Sequence, residues 1–415
     1  MTTVSESVFQ PDTFQPETLF DLDSEHAVDA LIRRAVELRA SDLFFMTEER
    51  AVAIAVRRFG VVTPISRVSR EQGRRLISHI KALAGMNIAE ARRPLDGRWI
   101  WGAGEEQVEL RVNCIATLFG SDLTMRLWSR ETGLIPLDEL GLAASDLRKV
   151  NSMLQRPSGL ILVTGPTGAG KTTTLYACLE TLRDGSRKIN TLEDPVEFAI
   201  PGIRQSQVRA DLGVDYPELL RNILRQAPDV IMIGEIRDSS TAATAVRAAN
   251  SGHLVLSTLH APRAAGALQS MFALNANPYF LSSCLLGVVA QRLVRTLCRA
   301  CRRAYDVGHS DEIAETVALF ETEAPSTVFA PGEGCVSCQG SGYSGRTGLF
   351  EVLGFNTELR RLTARMAVSR EIHQAAVDNG MVDFRKSAML KVSQGLTNIE
   401  DLLRDVPAEC LGLED

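Results

Sequence analysis

The sequence has no apolar run long enough to cross a bilayer, no excess of basic charge and few aromatic residues, and each shortage closes off a class of function. The most hydrophobic stretch, residues 280–290, includes Ser282, Ser283 and Cys284 and is followed by Arg292 and Arg295. It falls well short of the roughly 20 residues that a membrane-spanning helix needs, and reads as a buried helix. The amino terminus lacks the basic start and apolar core of a secretory signal, so the chain is expected in the cytoplasm. With a net charge of −6 and 6% aromatic residues, no global basic field and no basic-aromatic groove invite nucleic acid, and no direct nucleic-acid partner is expected. Only eight cysteines occur in 415 residues. In a reducing compartment, four of them in paired spacing suggest a metal rather than disulfides. There is no internal repeat and no low-complexity tract.

The composition, 45% hydrophobic and 23% charged, is that of an ordinary globular protein, and the length suits two or three domains. Residues 1–22 mix Thr, Ser, Gln, Pro and acidic residues without periodicity and read as a mobile tail. Residues 23–132 read as a smaller α+β domain, with helices over 24–38 and 70–85 and strands over 41–45, 52–56, 99–101, 108–115 and 123–128. A hinge-like segment follows at 131–136. From there the pattern changes. Apolar runs at 160–163, 188–192, 230–233 and 254–256 alternate with helical segments at 172–182, 217–226 and 239–249, which predicts an α/β domain with a parallel sheet covered on both faces. This second domain is expected to span 133–415, including a cysteine module at 296–345 and a helical part at 346–415, with helices over 358–367, 369–379 and 383–394.

The chemistry is concentrated after the first of those runs. Gly165, Pro166, Thr167, Gly168, Ala169, Gly170, Lys171, Thr172 and Thr173 stand between an apolar strand and a helical pattern, with the spacing of a phosphate loop. Glycines allow the backbone to turn its N–H groups inward, making an anion cradle with the helix start. Lys171 can reach the β- and γ-phosphates of a nucleotide such as ATP, and the Thr172 hydroxyl is placed to hold Mg2+.

Phosphoryl transfer to water also needs a carboxylate to orient the attacking water and cations at the γ-phosphate. Residues 230–233 form an apolar strand followed by Gly234 and Glu235, so a Glu stands one place beyond the position where an Asp is usual. Glu193, Asp194 and Glu197 form a second acidic group around Pro195, which ends the preceding strand. His253 and His260 bracket residues 254–259. Spacing alone does not separate a γ-phosphate or relay role from a structural one for either.

These boxes together resemble the ATPases of type II secretion and type IV pilus assembly, within the secretion NTPase superfamily. The likeness runs through residues 165–173, 191–198, 224–238, 251–260 and 288–295, and extends over roughly 23–405. It implies a RecA-like P-loop domain preceded by a PAS-like α+β domain. It further implies Glu193 and Glu235 as catalytic carboxylates and His260 as a γ-phosphate sensor. Arg98, Arg111 and Arg126, in the smaller domain, match positions whose guanidiniums approach nucleotide. Three features depart from the family pattern. Residues 43–46 are apolar where the family is polar, Ala261-Pro262 follow His260 in place of Thr-Asn, and a tail stands where a further amino-terminal domain often docks on the membrane platform.

Cys298, Cys301, Cys335 and Cys338 form two Cys-x2-Cys pairs separated by 33 residues. Four thiolates in paired turns suit a closed tetrahedral Zn2+ site that stabilises a segment with little core of its own. The assembly branch of the family has a similar insertion. Cys114, Cys178, Cys284 and Cys410 lack partners by spacing. The resemblance implies an ATP hydrolase, a homo-oligomer expected as a hexamer. It would drive assembly of a pilus or secretion pseudopilus through a membrane platform protein, peripherally at the inner face of the cytoplasmic membrane. The alternatives are a nucleic-acid translocase on the same core and a nucleotide-gated scaffold with weak hydrolysis.

Overall fold

The computed structural model describes residues 23–104, 107–129, 134–209, 212–306 and 327–413. The expected tail over 1–22 lies outside the described residues, as do residues 131–133 of the expected hinge-like segment. The chain divides into two compact units. One comprises the described residues before 130 together with Cys298–Cys301 and Pro331–Gly345, and the other comprises the rest.

In the first unit, six strands form an antiparallel sheet: β1 Asp42–Thr47, β2 Ala51–Arg58, β3 Val61–Ser69, β4 Leu95–Trp101, β5 Val108–Ala116 and β6 Ser121–Ser129, in the order β3-β2-β1-β6-β5-β4. The helices Ser24–Glu37 and Arg70–Leu83 cover one face, and Leu31, Ile32, Phe45, Ile54, Leu76, Ile80 and Leu110 meet in a common core. Each helix starts on a side-chain cap. Asp23 accepts from the His26 N–H and Ser69 from the Gln72 N–H, which satisfies donors that the first turn leaves unpaired. Along β5, Val108, Leu110, Val112 and Cys114 are buried at period two, so Arg111 belongs to the other face. The sequence pattern does not reveal β3. It is an edge strand carrying Pro64 at an irregularity in its pairing with β2, and both features blur the alternation.

Arg58 donates to Cys338 O at 3.2 Å and to Gln339 Oε1 at 3.0 Å, and Gln339 Nε2 donates to Glu37 O at 3.0 Å. The cysteine segments therefore group with the amino-terminal unit, whereas their place in the chain suggested the second domain.

The second unit is built on β7 Gly159–Thr164, β8 Ile189–Glu193, β9 Arg204–Gln207, β10 Val230–Ile233, β11 Leu254–Leu259, β12 Leu285–Leu297 and β15 Tyr343–Gly354, in the order β15-β12-β7-β11-β10-β8-β9. The six strands from β12 to β9 run parallel. A separate ribbon pairs β13 Arg303–Asp306 with β14 Thr327–Ala330. Alternate residues of β7 serve two cores. Leu160 and Leu162 pack with the helices Ser239–Asn250 and Ala264–Ala273, while Ile161 and Val163 pack with Ala144–Leu154 and Lys171–Leu182. The helices Thr357–Ala364, Ser369–Asp378, Phe384–Ser393 and Ile399–Asp405 complete the first of these cores.

The run 280–290 corrects the sequence reading. Only Pro278–Cys284 is helical, and β12 follows it, pairing with β7 in the middle of the sheet. A strand buried on both faces is a continuous apolar run, which periodicity cannot tell from a buried helix, and Val288 and Val289 favour the strand. Among the described residues, no helix is long and apolar enough to cross a membrane.

Candidate active site and metal centre

Parallel strands place the ends of β7, β8, β10 and β11 on one edge of the sheet, the edge where α/β proteins bind ligands. β7 ends at Thr164, and the loop that follows opens directly into the helix Lys171–Leu182. Gly165, Gly168 and Gly170 have φ of +150°, +79° and +86°. At Gly165 a side chain is also excluded by contact, because a Cβ there would lie 2.4 Å from Gln291 O. Lys171 Nζ donates to Gly165 O at 2.9 Å and to Pro166 O at 3.0 Å, so the ammonium sits over the loop. Its pKa is pushed down by burial and pulled back up by the Glu235 charge, which places that carboxylate in its electrostatic reach. Thr172 and Thr173 are exposed in the first helical turn.

Glu235 stands two residues beyond β10 and its side chain is 15% exposed. One oxygen pairs with Arg237, and the other lies 3.6 Å from His260 Nε2. Arg237 also approaches Asp194 at 3.9 Å. Two buried hydroxyls brace this edge, for Ser257 Oγ donates to Ile233 O at 2.8 Å and Thr258 Oγ1 to Gly234 O at 2.7 Å. Thr164 holds the turn after His260, accepting from the Ala261 N–H at 2.8 Å and donating to Ala261 O at 3.0 Å.

Glu193, the last residue of β8, is 3% exposed. Its carboxylate accepts from the Tyr176 hydroxyl, from Thr191 Oγ1 at 2.5 Å and from Gln205 Nε2 at 3.1 Å. Three donors satisfy this buried anion, so it is fixed in place. Burial and the bond to Glu193 push the Tyr176 hydroxyl pKa well up.

The two histidines, equivalent by spacing, separate by topology. Leu259 pairs with Thr164, so His260 emerges beside the loop. His253 precedes the strand at the opposite edge, where its ring is 3.0 Å from Ala248 O. The single-residue reading of the sequence passed over Tyr176, Arg237 and Gln205. Arg237 lies two places after Glu235 in the same box, which was a usable signal, whereas Tyr176 and Gln205 come to Glu193 only through folding.

In the smaller unit, register links the three candidate arginines. Arg98 pairs with Arg111, Arg111 with Arg126, Arg126 with Asp42 and Asp42 with Arg57, one row across five strands. Directly opposite residues share a face. Asp42, 5% exposed, lies 3.1 Å from Arg126 Nε and 3.5 Å from Arg57 Nε. The Arg111 guanidinium stacks 5.6 Å from the Trp128 ring centre, a cation–π contact.

The four expected metal ligands come together. Sγ distances are 3.7 Å for Cys298–Cys335, 3.8 Å for Cys301–Cys338 and 3.7 Å for Cys335–Cys338, and all four atoms lie within 4.8 Å of one another. A tetrahedron with Zn–S bonds of about 2.3 Å has edges of about 3.8 Å, so zinc fits. The Cys335 and Gly342 N–H groups point at Cys338 Sγ, at 3.1 and 3.3 Å, which suits a thiolate. Such a site would stabilise its segment and leave no open position for catalysis. The remaining cysteines are buried singly.

A family model described as "Type II/IV secretion system protein" matches residues 22–404. The chain belongs to this family. It is 40% identical over 377 residues to type II secretion system protein E of Pseudomonas aeruginosa, covering 91% of this chain and 74% of that protein. It is 35% identical over 388 residues to the type IV pilus assembly ATPase PilB of Thermus thermophilus, covering 94% of this chain and 43% of that one. The fold is similar to that of the Legionella pneumophila ATPase DotB, with a TM-score of 0.65, 21% identity and coverage of 95% and 96%. In its secretion ATPase family, with a phosphate loop at the carboxyl edge of the parallel sheet, this chain is an ATP hydrolase.

Proposed function

We propose that the chain is the ATP-driven motor of a type II secretion pseudopilus or a type IV pilus. It would work as a homo-oligomeric ring, a hexamer, acting on a platform protein at the inner face of the cytoplasmic membrane. The observation that carries the proposal is the convergence of Lys171, Glu235 and His260 at one sheet edge in a chain of a secretion-system family. Residues 165–173 bind the phosphates, and the Thr172 hydroxyl would hold Mg2+, which would supply charge neutralisation there. Glu235 orients and deprotonates the attacking water, with Arg237 and His260 fixing its two oxygens. His260 senses the γ-phosphate. Glu193 is the second catalytic carboxylate of this reading, and Tyr176, Thr191 and Gln205 set its position. Arg98, Arg111 and Arg126 serve as phosphate partners, a role to which planar, permanently charged guanidiniums are suited.

The variant Glu235→Gln tests the chemistry. Mg-ATP binding should survive while turnover falls on the order of 10²- to 10⁴-fold. Unchanged turnover removes Glu235 from the mechanism. Native mass measurement with a non-hydrolysable ATP analogue should give a sixfold assembly, and adding the platform protein's cytoplasmic domain should raise turnover. A chain that stays monomeric and ignores the platform overturns the motor reading.

A further inference from the structure

We infer that Gln291 is a positioning residue for the phosphate loop, holding the peptide between Ala169 and Gly170 in the orientation that anion binding needs. Gln291 lies on β12 one residue beyond Ala290, which pairs with Thr164, so it stands beside the first residue of the loop. The residue is 2% exposed, and Nε2 donates to Ala169 O at 2.7 Å. Oε1 is buried without a partner among the described residues. The amide orientation is set by Ala169, because turning it over would oppose two acceptors. An apolar side chain could fill this position without stranding an acceptor, so the bond to Ala169 accounts for the amide. A trans peptide points its C=O and N–H in opposite directions. Holding Ala169 O toward β12 therefore turns the Gly170 N–H away from it, as an amide of the anion cradle.

Two glycines make the contact possible. Gly165 lies against the Gln291 backbone, with its Cβ direction 2.4 Å from Gln291 O, and Gly170 lies against the side chain, with its Cβ direction 3.2 Å from Nε2. The loop thus rests on both the main chain and the amide of one strand residue. The neighbouring Ala169 N–H is already used by Pro166 O at 3.2 Å, so the Gly170 N–H is the adjacent amide left for a ligand to engage.

The inference rests on assigning nucleotide to residues 165–173, and the experiment keeps the two apart. Full-length chains carrying Gln291→Met, Gln291→Glu and Lys171→Ala are titrated calorimetrically with Mg-ADP and assayed for ATP turnover. For Gln291→Met, which keeps length and loses the donor, ADP affinity should weaken on the order of tenfold. The KM for ATP should rise by a similar factor with kcat within about threefold, because loop contacts serve ground and transition states alike. For Gln291→Glu, affinity relative to the unaltered chain should recover between about pH 8 and about pH 6, since a protonated carboxyl can again donate to Ala169 O. Unchanged affinity and KM in Gln291→Met overturn the inference, and if that variant does not fold, a pH-independent ratio for Gln291→Glu overturns it. Undiminished ADP binding by Lys171→Ala would instead remove the loop assignment.

Discussion

Replacing Glu351 by Gln isolates a buried titration whose sign and size follow from its surroundings. Glu351 lies in β15 at 0% exposure, and its two oxygens accept from the Ala264 and Phe384 N–H groups at 3.0 and 3.2 Å. Those amides begin the helices Ala264–Ala273 and Phe384–Ser393, so one carboxyl joins two helix starts. Burial raises its pKa from 4.5 to about 7, opposed by the two amides and Arg263 and assisted by Asp383. A folded-state value above the unfolded one means that this group's contribution is complete below pH 4.5 and is lost as pH rises through about 7. At 1.36 kcal/mol per unit, the loss is about 3 kcal/mol. Gln does not titrate, and other groups cancel in the difference between the two chains. The stability of the unaltered chain minus that of Glu351→Gln should therefore fall by about 3 kcal/mol from acid to pH 8. Denaturant melts should be followed by far-UV circular dichroism, because Trp99, Trp101 and Trp128 all belong to the other unit. A difference that stays constant with pH would refute the buried titration.

Three further outcomes are expected. The purified chain should hold one Zn2+ per polypeptide, lost in Cys301→Ser, and chelation should lower the tryptophan-fluorescence melt, since the cysteines and all three tryptophans share a unit; metal analysis showing none removes the centre. His260→Ala should cut turnover on the order of 100-fold while His253→Ala leaves it within about threefold; the reverse would refute the topological separation of the two rings. Arg126→Ala leaves buried Asp42 with Arg57 as its remaining ion-pair partner, so the same fluorescence melt should lose roughly 1 kcal/mol, and no loss would show that Arg57 and Ser41 suffice.

Legibility in the sequence followed the range of the interaction concerned. Residues 165–173, the strands around Ile233 and Leu256 and the capped helices were readable, because turn chemistry and apolar periodicity are local. Residues 285–290 were misread because a strand covered on both faces carries no alternation. Val61–Ser69 was missed because edge exposure and Pro64 leave mixed polarity. The grouping of Cys338 and Gln339 with Arg58 depends on contacts across 280 and 281 residues, and no local pattern encodes it. At the site, the reactive types were visible but their supports were not. Glu193 could be named from its box, whereas Tyr176 and Gln205 become its partners only when helix and strand pack together.

Gly234 explains why the carboxylate after β10 is a Glu one place late. A Cβ at Gly234 would lie 3.1 Å from the Tyr216 hydroxyl, 3.2 Å from Leu192 O and 3.5 Å from Glu193 Cα. Leu192 O cannot retreat freely, because it accepts from the Gly234 N–H at 2.8 Å, and Gly234 O is engaged by Thr258 at 2.7 Å. An Asp at 234 would therefore crowd the Tyr216 hydroxyl and the Leu192 carbonyl, which would have to give by a few tenths of an ångström. With glycine there, β8 and β10 stay close enough for both carboxylates to stand on adjacent strand ends. The acidic group passes to residue 235, where the extra methylene of Glu gives it reach toward His260 and the field of Lys171. The departure at 234 and the departure at 235 are thus one adjustment, made to fit Tyr216 and Glu193 behind the site.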